Sequence, residues 1–557
     1  AAGSCVGPGG GALAAGARPA GRFVVPPGCC GAGGARGRPA PPPPTTHRKV
    51  SKLKKAIETL EKPVFFVSVA VIAAILLVLL AAPEQCAAAV NALLSTMTHE
   101  WGFLYIATHL VLIVFLAWLA FGRFGKVVLG RPGEKPEYDD FSWMSMMFCT
   151  GIASSLMIFS FLEPIYYLTQ TPFGVEPLSD EAYEYAHMYG QFHWGPSAWL
   201  FYVPASIAIA YQLFVRGGES VRLGDVCGQV RWAKGWVARA IDVFTVFAVL
   251  GGIGTSMGLG APLICQLLSK TLGIPNDTRL LVGVLVLWFA IFSTSVYRGL
   301  DKGIKVLSNI NIYLAVLFVL FVMVLTGIPR VLDVELNSIG LYLNNFFRMS
   351  TYTDPFRQSG FPQDWTVFYW GWWLSYIPIM ALFTARISRG RTIRKVVLGM
   401  VGYGSLGCVL SFSVLGCYAL DLQRSGRVDL VAILESQGKD AALIAVLDTM
   451  PLPGVAAIAF AVVAVVFMAT TIDSSAFILA SATTRRLRGD EQPPRWNRIL
   501  WAVVFVVLAF ALTRIGGLET MQTASVLTGF PMIFICVLVL YVLYRMLRAD
   551  EASQGGK

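Results

Sequence analysis

"DWTVFYWGWWLSY", Asp364–Tyr376, holds four of the chain's fourteen tryptophans in thirteen residues, together with two tyrosines. Placed on a helix, Tyr369, Trp372 or Trp373, Tyr376 and Met380 recur at three- and four-residue steps and share a face. Trp belts at membrane interfaces sit at helix ends. That position suits Trp365 and Trp370 but not Trp372 and Trp373, two turns in. Pro378 lacks an N–H and predicts a break in mid-helix, freeing the carbonyl of Leu374. Irregular backbone at membrane depth is tolerated where it is buried or lines a cavity. A ring stripe beside a break therefore points to a site. Plain helix packing would produce the same stripe. Aromatic faces attract a quaternary ammonium, each contact contributing about 0.5–2 kcal/mol.

The surrounding composition is that of a membrane protein. The 557 residues are 55% hydrophobic and 14% charged, with mean hydropathy +0.63, whereas soluble chains carry about 25% charged residues. Apolar runs of spanning length lie near Pro63–Ala82, Trp101–Phe121, Phe141–Phe161, Trp194–Val215, Ile241–Leu268, Arg279–Tyr297, Val306–Ile328, Trp365–Thr384, Val396–Leu420, Gly454–Ala482, Ile499–Gly516 and Thr523–Leu547. Together they predict an all-α protein of twelve transmembrane helices. With both ends cytoplasmic, the inner segments collect 35 of the 44 Lys and Arg, as the positive-inside rule requires. The outer loop 162–193 has none and carries Glu163, Glu176, Asp180, Glu181 and Glu184. The net charge of +11 is thus spread over short inner segments and is not a nucleic-acid footprint.

Residues 1–50 are rich in Gly, Ala and Pro, and no acid precedes Glu58. A targeting segment shares those features, but the scarcity of Ser favours a disordered cytoplasmic tail. Residues 51–62 read as a basic amphipathic segment on the inner membrane surface. The ten cysteines follow no metal or disulfide spacing. Cys149, Cys265, Cys408, Cys417 and Cys536 fall in apolar runs, as small hydrophobes do.

Three more clusters bear on function. "FHWGPSAWLFY" opens the fourth span with Trp194, Trp199 and Tyr202; an interfacial belt is the alternative. "CTGIASSLMIF", Cys149–Phe159, sets Gly151, Ala153 and Ser155 in mid-membrane, where small residues serve helix packing or backbone contact with a ligand. Tyr166 and Tyr167 follow. "FMATTIDSS", Phe467–Ser475, offers the hydroxyls of Thr470 and Thr471 to a hard cation, or back to their own helix.

These motifs, with "ARISRGRTIR", "TPFGVEP", "GTSMGLGAPL", "YTDPFRQSGFPQ" and "GGLETMQTA", resemble the betaine/choline/carnitine transporter family over roughly Lys62–Arg548. The resemblance implies a LeuT-type fold of two five-helix inverted repeats behind two extra helices at 63–140. The first repeat occupies 141–328. An extracellular segment and the second repeat occupy 329–548, and a cytoplasmic tail occupies 549–557. It further implies a homotrimer in the plasma or inner membrane that carries an osmoprotection-type onium solute. The family's aromatic box falls on Trp194, Trp199, Tyr202, Trp372 and Trp373. Tyr166, Tyr376 and Met380 match further substrate positions, and Gly151, Ala153 and Ser155 match the backbone beside the substrate. Choline-selective members carry an aspartate where Ser155 stands. With no carboxylate expected near the box, a zwitterionic betaine, carnitine or sulfonium solute is favoured over a bare cation.

The resemblance also addresses coupling. A first sodium site would need hydroxyls where Val249 and Ile253 stand. A second falls on Cys149, Ile152, Phe467, Thr470 and Thr471. Asn311 stands where a sodium-independent antiporter of the family has an arginine. One sodium per substrate is therefore expected, with carnitine/γ-butyrobetaine-type antiport as the alternative. Among other ionisable groups, Asp473 is expected to cap a break in the tenth helix, His193 to serve as a cap or interface residue, and Glu163 to end the third span near the outer face. Asp242 and Asp301 lie near the inner surface. No cofactor motif, nucleophile elbow or phosphate loop is present, which argues against an enzyme. Isolated polar clusters without a continuous polar lining argue against a channel.

Overall fold

The computed structural model describes residues 58–81, 83–151, 155–299, 305–487, 491–515 and 518–555. The expected tail at 1–50, with Ile152, Ala153 and Asp301, lies outside them. The described chain is helical. Its helices are α1 (Lys62–Ala81), α2 (Gly102–Phe121), α3 (Asp140–Gly151), α4 (Ser155–Tyr166) and α5 (Asp180–Trp194). Then come α6 (Pro196–Leu200), α7 (Val203–Ala210), α8 (Trp236–Leu272), α9 (Thr278–Gly299), α10 (Lys305–Thr326) and α11 (Ile328–Ser350). Further on lie α12 (Phe368–Ile387), the run α13 (Ile393–Arg424), α14 (Pro453–Ala482), α15 (Arg495–Ile515) and α16 (Leu518–Gly555), and shorter helices such as Pro83–Ser95, Leu430–Gln437 and Lys439–Asp448 fall between the numbered ones.

Eight helical runs among the described residues are long and apolar enough to cross a bilayer, and α3 with α4 makes nine if that bent pair is one span. The expected first, eighth and eleventh spans are helical as α1, α12 and α15 but fall outside that set. In α12 the reason is chemical. Its core-facing bulk is Trp and Tyr, whose N–H and O–H make them poorer lipid solutes than Leu or Ile.

Helix α12 is buried along its whole length and packs against α16, α8 and α7. A Cβ on Gly371 would meet the α16 backbone at Val526, and one on Gly529 would meet the carbonyl of Gly371. Glycine on both helices is what lets the two backbones approach. A second close approach seats the box: a Cβ on Gly404 of α13 would run into the Trp199 indole.

Two expectations fail here. Helix α12 runs unbroken through Pro378, and its irregularity is a π turn at its start, Pro362–Val367. The sharply bent span is the third, where the two halves meet at 63°. Helix α14 is also continuous, so Asp473 has no break to cap. Its Oδ1 accepts from Arg498 Nη2 on α15 at 2.7 Å, with both side chains buried. A buried charge is tolerable only when paired.

The long connection 328–350 is the amphipathic helix α11. Its polar side docks on the bundle through Glu335, which accepts from Ser413 Oγ at 2.6 Å and Gln191 Nε2 at 2.7 Å. Burial pushes the Glu335 carboxyl up, and these two donors pull it back down. Leu332, Leu336, Leu343 and Phe347 remain exposed on its other side.

Breaking a buried ion pair from one side costs about 3–5 kcal/mol, whereas replacing both partners by apolar groups is often nearly neutral. Arg498→Met is therefore expected to lower the thermal unfolding temperature in detergent, and Asp473→Leu added to it to restore most of the loss. A single variant as stable as the parent would contradict this role.

Candidate functional site

The site grows from a break in the fourth span. At Gly195 the backbone leaves the helix (φ −82°, ψ −139°) and Pro196 starts a new one. Trp194 therefore ends α5, Trp199 lies in α6 and Tyr202 precedes α7. The change of direction splits the expected box into two ring groups.

The first group joins α4, α5 and α12. Trp372 and Trp373 stack at 5.3 Å between centroids and 8° between planes. Trp194 stands edge-on to both, at 5.7 and 4.9 Å. Tyr369 stacks on Trp373 at 5.7 Å, and Phe159 meets Trp194 at 5.9 Å and Trp372 at 6.1 Å. The Trp373 indole donates to the carbonyl of His193 at 2.9 Å. The second group is Trp199 edge-on to Tyr202 at 5.8 Å and stacked on Phe148 at 6.2 Å. Tyr376, one turn past Trp372, shares a hydrogen bond of 2.6 Å with Ser256 of α8. The carbonyl of Met380 accepts from Ser206 of α7 at 3.5 Å. Tyr166 packs on Trp365 at 5.3 Å, beside the first group. The tryptophans considered for an interfacial belt do not form one: Trp194, Trp199, Trp365, Trp370, Trp372 and Trp373 are all buried, and Trp370 stacks on His109.

Glu163 ties the first group together. It lies in the last turn of α4 and is fully buried. Its Oε2 accepts from the Trp194 indole N–H at 2.7 Å and the Tyr369 hydroxyl at 2.6 Å. Its Oε1 accepts from the Tyr167 hydroxyl at 2.5 Å. His193 is neither cap nor interface residue; it too is buried, with Nδ1 2.7 Å from Tyr167 Oη and Nε2 3.0 Å from Thr366 Oγ1. The expectation that no carboxylate stands near the box is thereby corrected.

The oxygen cluster expected around α14 forms between α3 and α14. Thr471 Oγ1 lies 3.4 Å from the carbonyl of Cys149 and 3.0 Å from that of Phe467. Thr470 Oγ1 turns back along its own helix to the Phe467 carbonyl at 2.7 Å. Two hydroxyls that the sequence did not single out join it: Ser474 on α14 and Thr150 on α3, 3.0 Å apart. Asn311 reaches Cys149 Sγ at 3.6 Å. Val249 and Ile253 are buried and bring no side-chain oxygen.

A family model described as betaine/carnitine/choline transporters matches residues 63–552. The chain belongs to this family. It is therefore a multi-pass membrane transporter of a small molecule. It is also similar to a solved structure titled "Substrate-bound outward-open state of a Na+-coupled sialic acid symporter reveals a novel Na+-site". That likeness is 13% identity over 79% of this chain and 87% of the other, with a TM-score of 0.46, and it carries no argument. The ring groups and the hydroxyl cluster are both buried among the described residues. Glu163 carried a signal in the sequence: a lone acid in an apolar span is a functional candidate by default. It sits one turn from Phe159 and one from Tyr167, so all three share a face.

Proposed function

We propose that this transporter carries betaine-type zwitterionic quaternary ammonium or sulfonium solutes, coupled to one sodium ion. The observation that carries the proposal is the meeting of Trp194 with Trp372 and Trp373, buried indoles from two helices, edge against face. A methylated onium cannot donate a hydrogen bond, so ring faces are its natural ligands. Entering between the two ring groups, it exchanges ring–ring contacts for cation–π contacts. The solute's carboxylate needs donors. Among the described residues Trp372 Nε1, Tyr202 Oη and Ser155 Oγ are buried without a hydrogen-bond partner, and an unmade buried bond costs about 1–3 kcal/mol.

For the ion, hard cations take oxygen ligands at about 2.3–2.6 Å. Oxygens 3.0–3.4 Å apart, as at Thr471, Phe467 and Cys149, can share one. Sodium-independent antiport is the second reading. Both threonine hydroxyls already bond to carbonyls of their own helix, so the site is satisfied without an ion.

The full twelve-helix, inverted-repeat architecture, with both termini cytoplasmic, is part of the same proposal. It is supported by the bent third span and by the distribution of Lys and Arg, and labelling of terminal cysteines from either side checks it. A homotrimer would cover the exposed Leu336, Leu343 and Phe347 of α11, and the mass of the purified particle tests that.

Trp372→Leu and Trp373→Leu are each expected to weaken solute binding by the order of one or two cation–π contacts, about 0.5–4 kcal/mol, with normal expression. Normal transport by both would remove the ring site. In proteoliposomes Thr471→Ala is expected to abolish sodium stimulation of uptake, and Thr470→Ala to reduce it less. An unchanged sodium response in the double variant would place the coupling ion elsewhere, whereas wild-type uptake that does not depend on sodium would favour antiport.

A further inference from the structure

We propose that Glu163 supplies the fixed negative charge of the onium site and positions two of its rings; this rests on the ring site proposed above. The argument begins with hydrogen bonds. The donors to its two oxygens are the Trp194 indole and the hydroxyls of Tyr369 and Tyr167, all neutral. The Tyr167 hydroxyl proton points to Glu163, so the Tyr167 oxygen accepts from His193 Nδ1–H. His193 Nε2 then accepts from the Thr366 hydroxyl. A neutral imidazole satisfies both of these contacts. His193 Nδ1 approaches Glu163 only to 3.4 Å, and among the described residues no Lys or Arg pairs with this carboxylate. A carboxylate solvated by dipoles alone, with no counter-ion, awaits a cation.

The ligand that fits is a compact cation with no proton to give. Glu163 grips Trp194 and Tyr369 by their polar ends, leaving the ring bodies to face Trp372 and Trp373. Its charge thus stands directly behind the rings an onium would touch. The carboxylate both fixes ring orientation and adds its field to theirs. The site should then accept a bare quaternary cation as well as a zwitterion.

The test measures tryptophan fluorescence of the purified full chain titrated with tetramethylammonium and with glycine betaine or carnitine, whichever binds more tightly. The wild type is expected to bind tetramethylammonium within about tenfold of the zwitterion. Glu163→Gln is expected to weaken both at least about tenfold, and the bare cation at least about threefold more, because the zwitterion keeps its own carboxylate. Glu163→Asp restores part of the cation binding. A purely structural role would weaken both probes equally.

Trp373→Leu is run beside them. If it loses binding while Glu163→Gln binds both probes within twofold of wild type, the ring site stands and the role of Glu163 is overturned. If Trp373→Leu binds as the wild type does, the ring site itself falls. Should Glu163→Gln not fold, the wild type decides: binding of the zwitterion without binding of tetramethylammonium overturns the proposal.

Discussion

A buried acid, Glu163, that pairs with no Lys or Arg among the described residues is the constraint around which this structure is arranged. Glu163 must find all its hydrogen bonds inside the protein, because hydrocarbon offers none. It finds them on three segments: Tyr167 just beyond α4, Trp194 at the end of α5 and Tyr369 at the start of α12. Satisfying one charge therefore fixes where two spans meet the third, and two of its three donors are rings of the candidate site. Placement of the aromatic wall and solvation of the acid are a single event.

The same economy holds at the hydroxyl cluster. The 63° bend between α3 and α4 lies beside the carbonyl of Cys149, and Thr471 reaches that carbonyl from an unbroken α14. One straight helix and one bent helix therefore share the cluster, while the first ring group takes Phe159 from α4, beyond the bend. A change in the angle between α3 and α4 would act on both constellations, which is the geometric requirement for coupling a solute to an ion. The Asp473–Arg498 pair sits one turn beyond Thr470 and clamps α14 to α15, so the straight partner is held in place.

Much of this was legible in the sequence. Apolar length located the helices, and the density of Trp in Asp364–Tyr376 located the stacked indoles of the candidate site. Small residues and hydroxyls marked the bend and the oxygen cluster. What stayed hidden was long range. Pro378 looked like a break, yet α12 is packed on all sides and runs through it. Asp473 looked like a cap because Arg498 lies twenty-five residues further on. Trp194, Trp199 and Tyr202 looked like one cluster, but Gly195 turns the chain between them and sends them to two groups. The role of Glu163 stayed hidden because its donors, apart from Tyr167, come from segments 31 and 206 residues away. No local spacing encodes that node.

The most direct measurement is a structure of the protein in lipid with a trimethylammonium solute bound. The account predicts the methyl groups within about 6 Å of the indole centroids of Trp194 and of Trp372 or Trp373, with Glu163 still holding Trp194 and Tyr369. Methyl groups resting against aliphatic side chains, with those indoles still packed on one another, would contradict it.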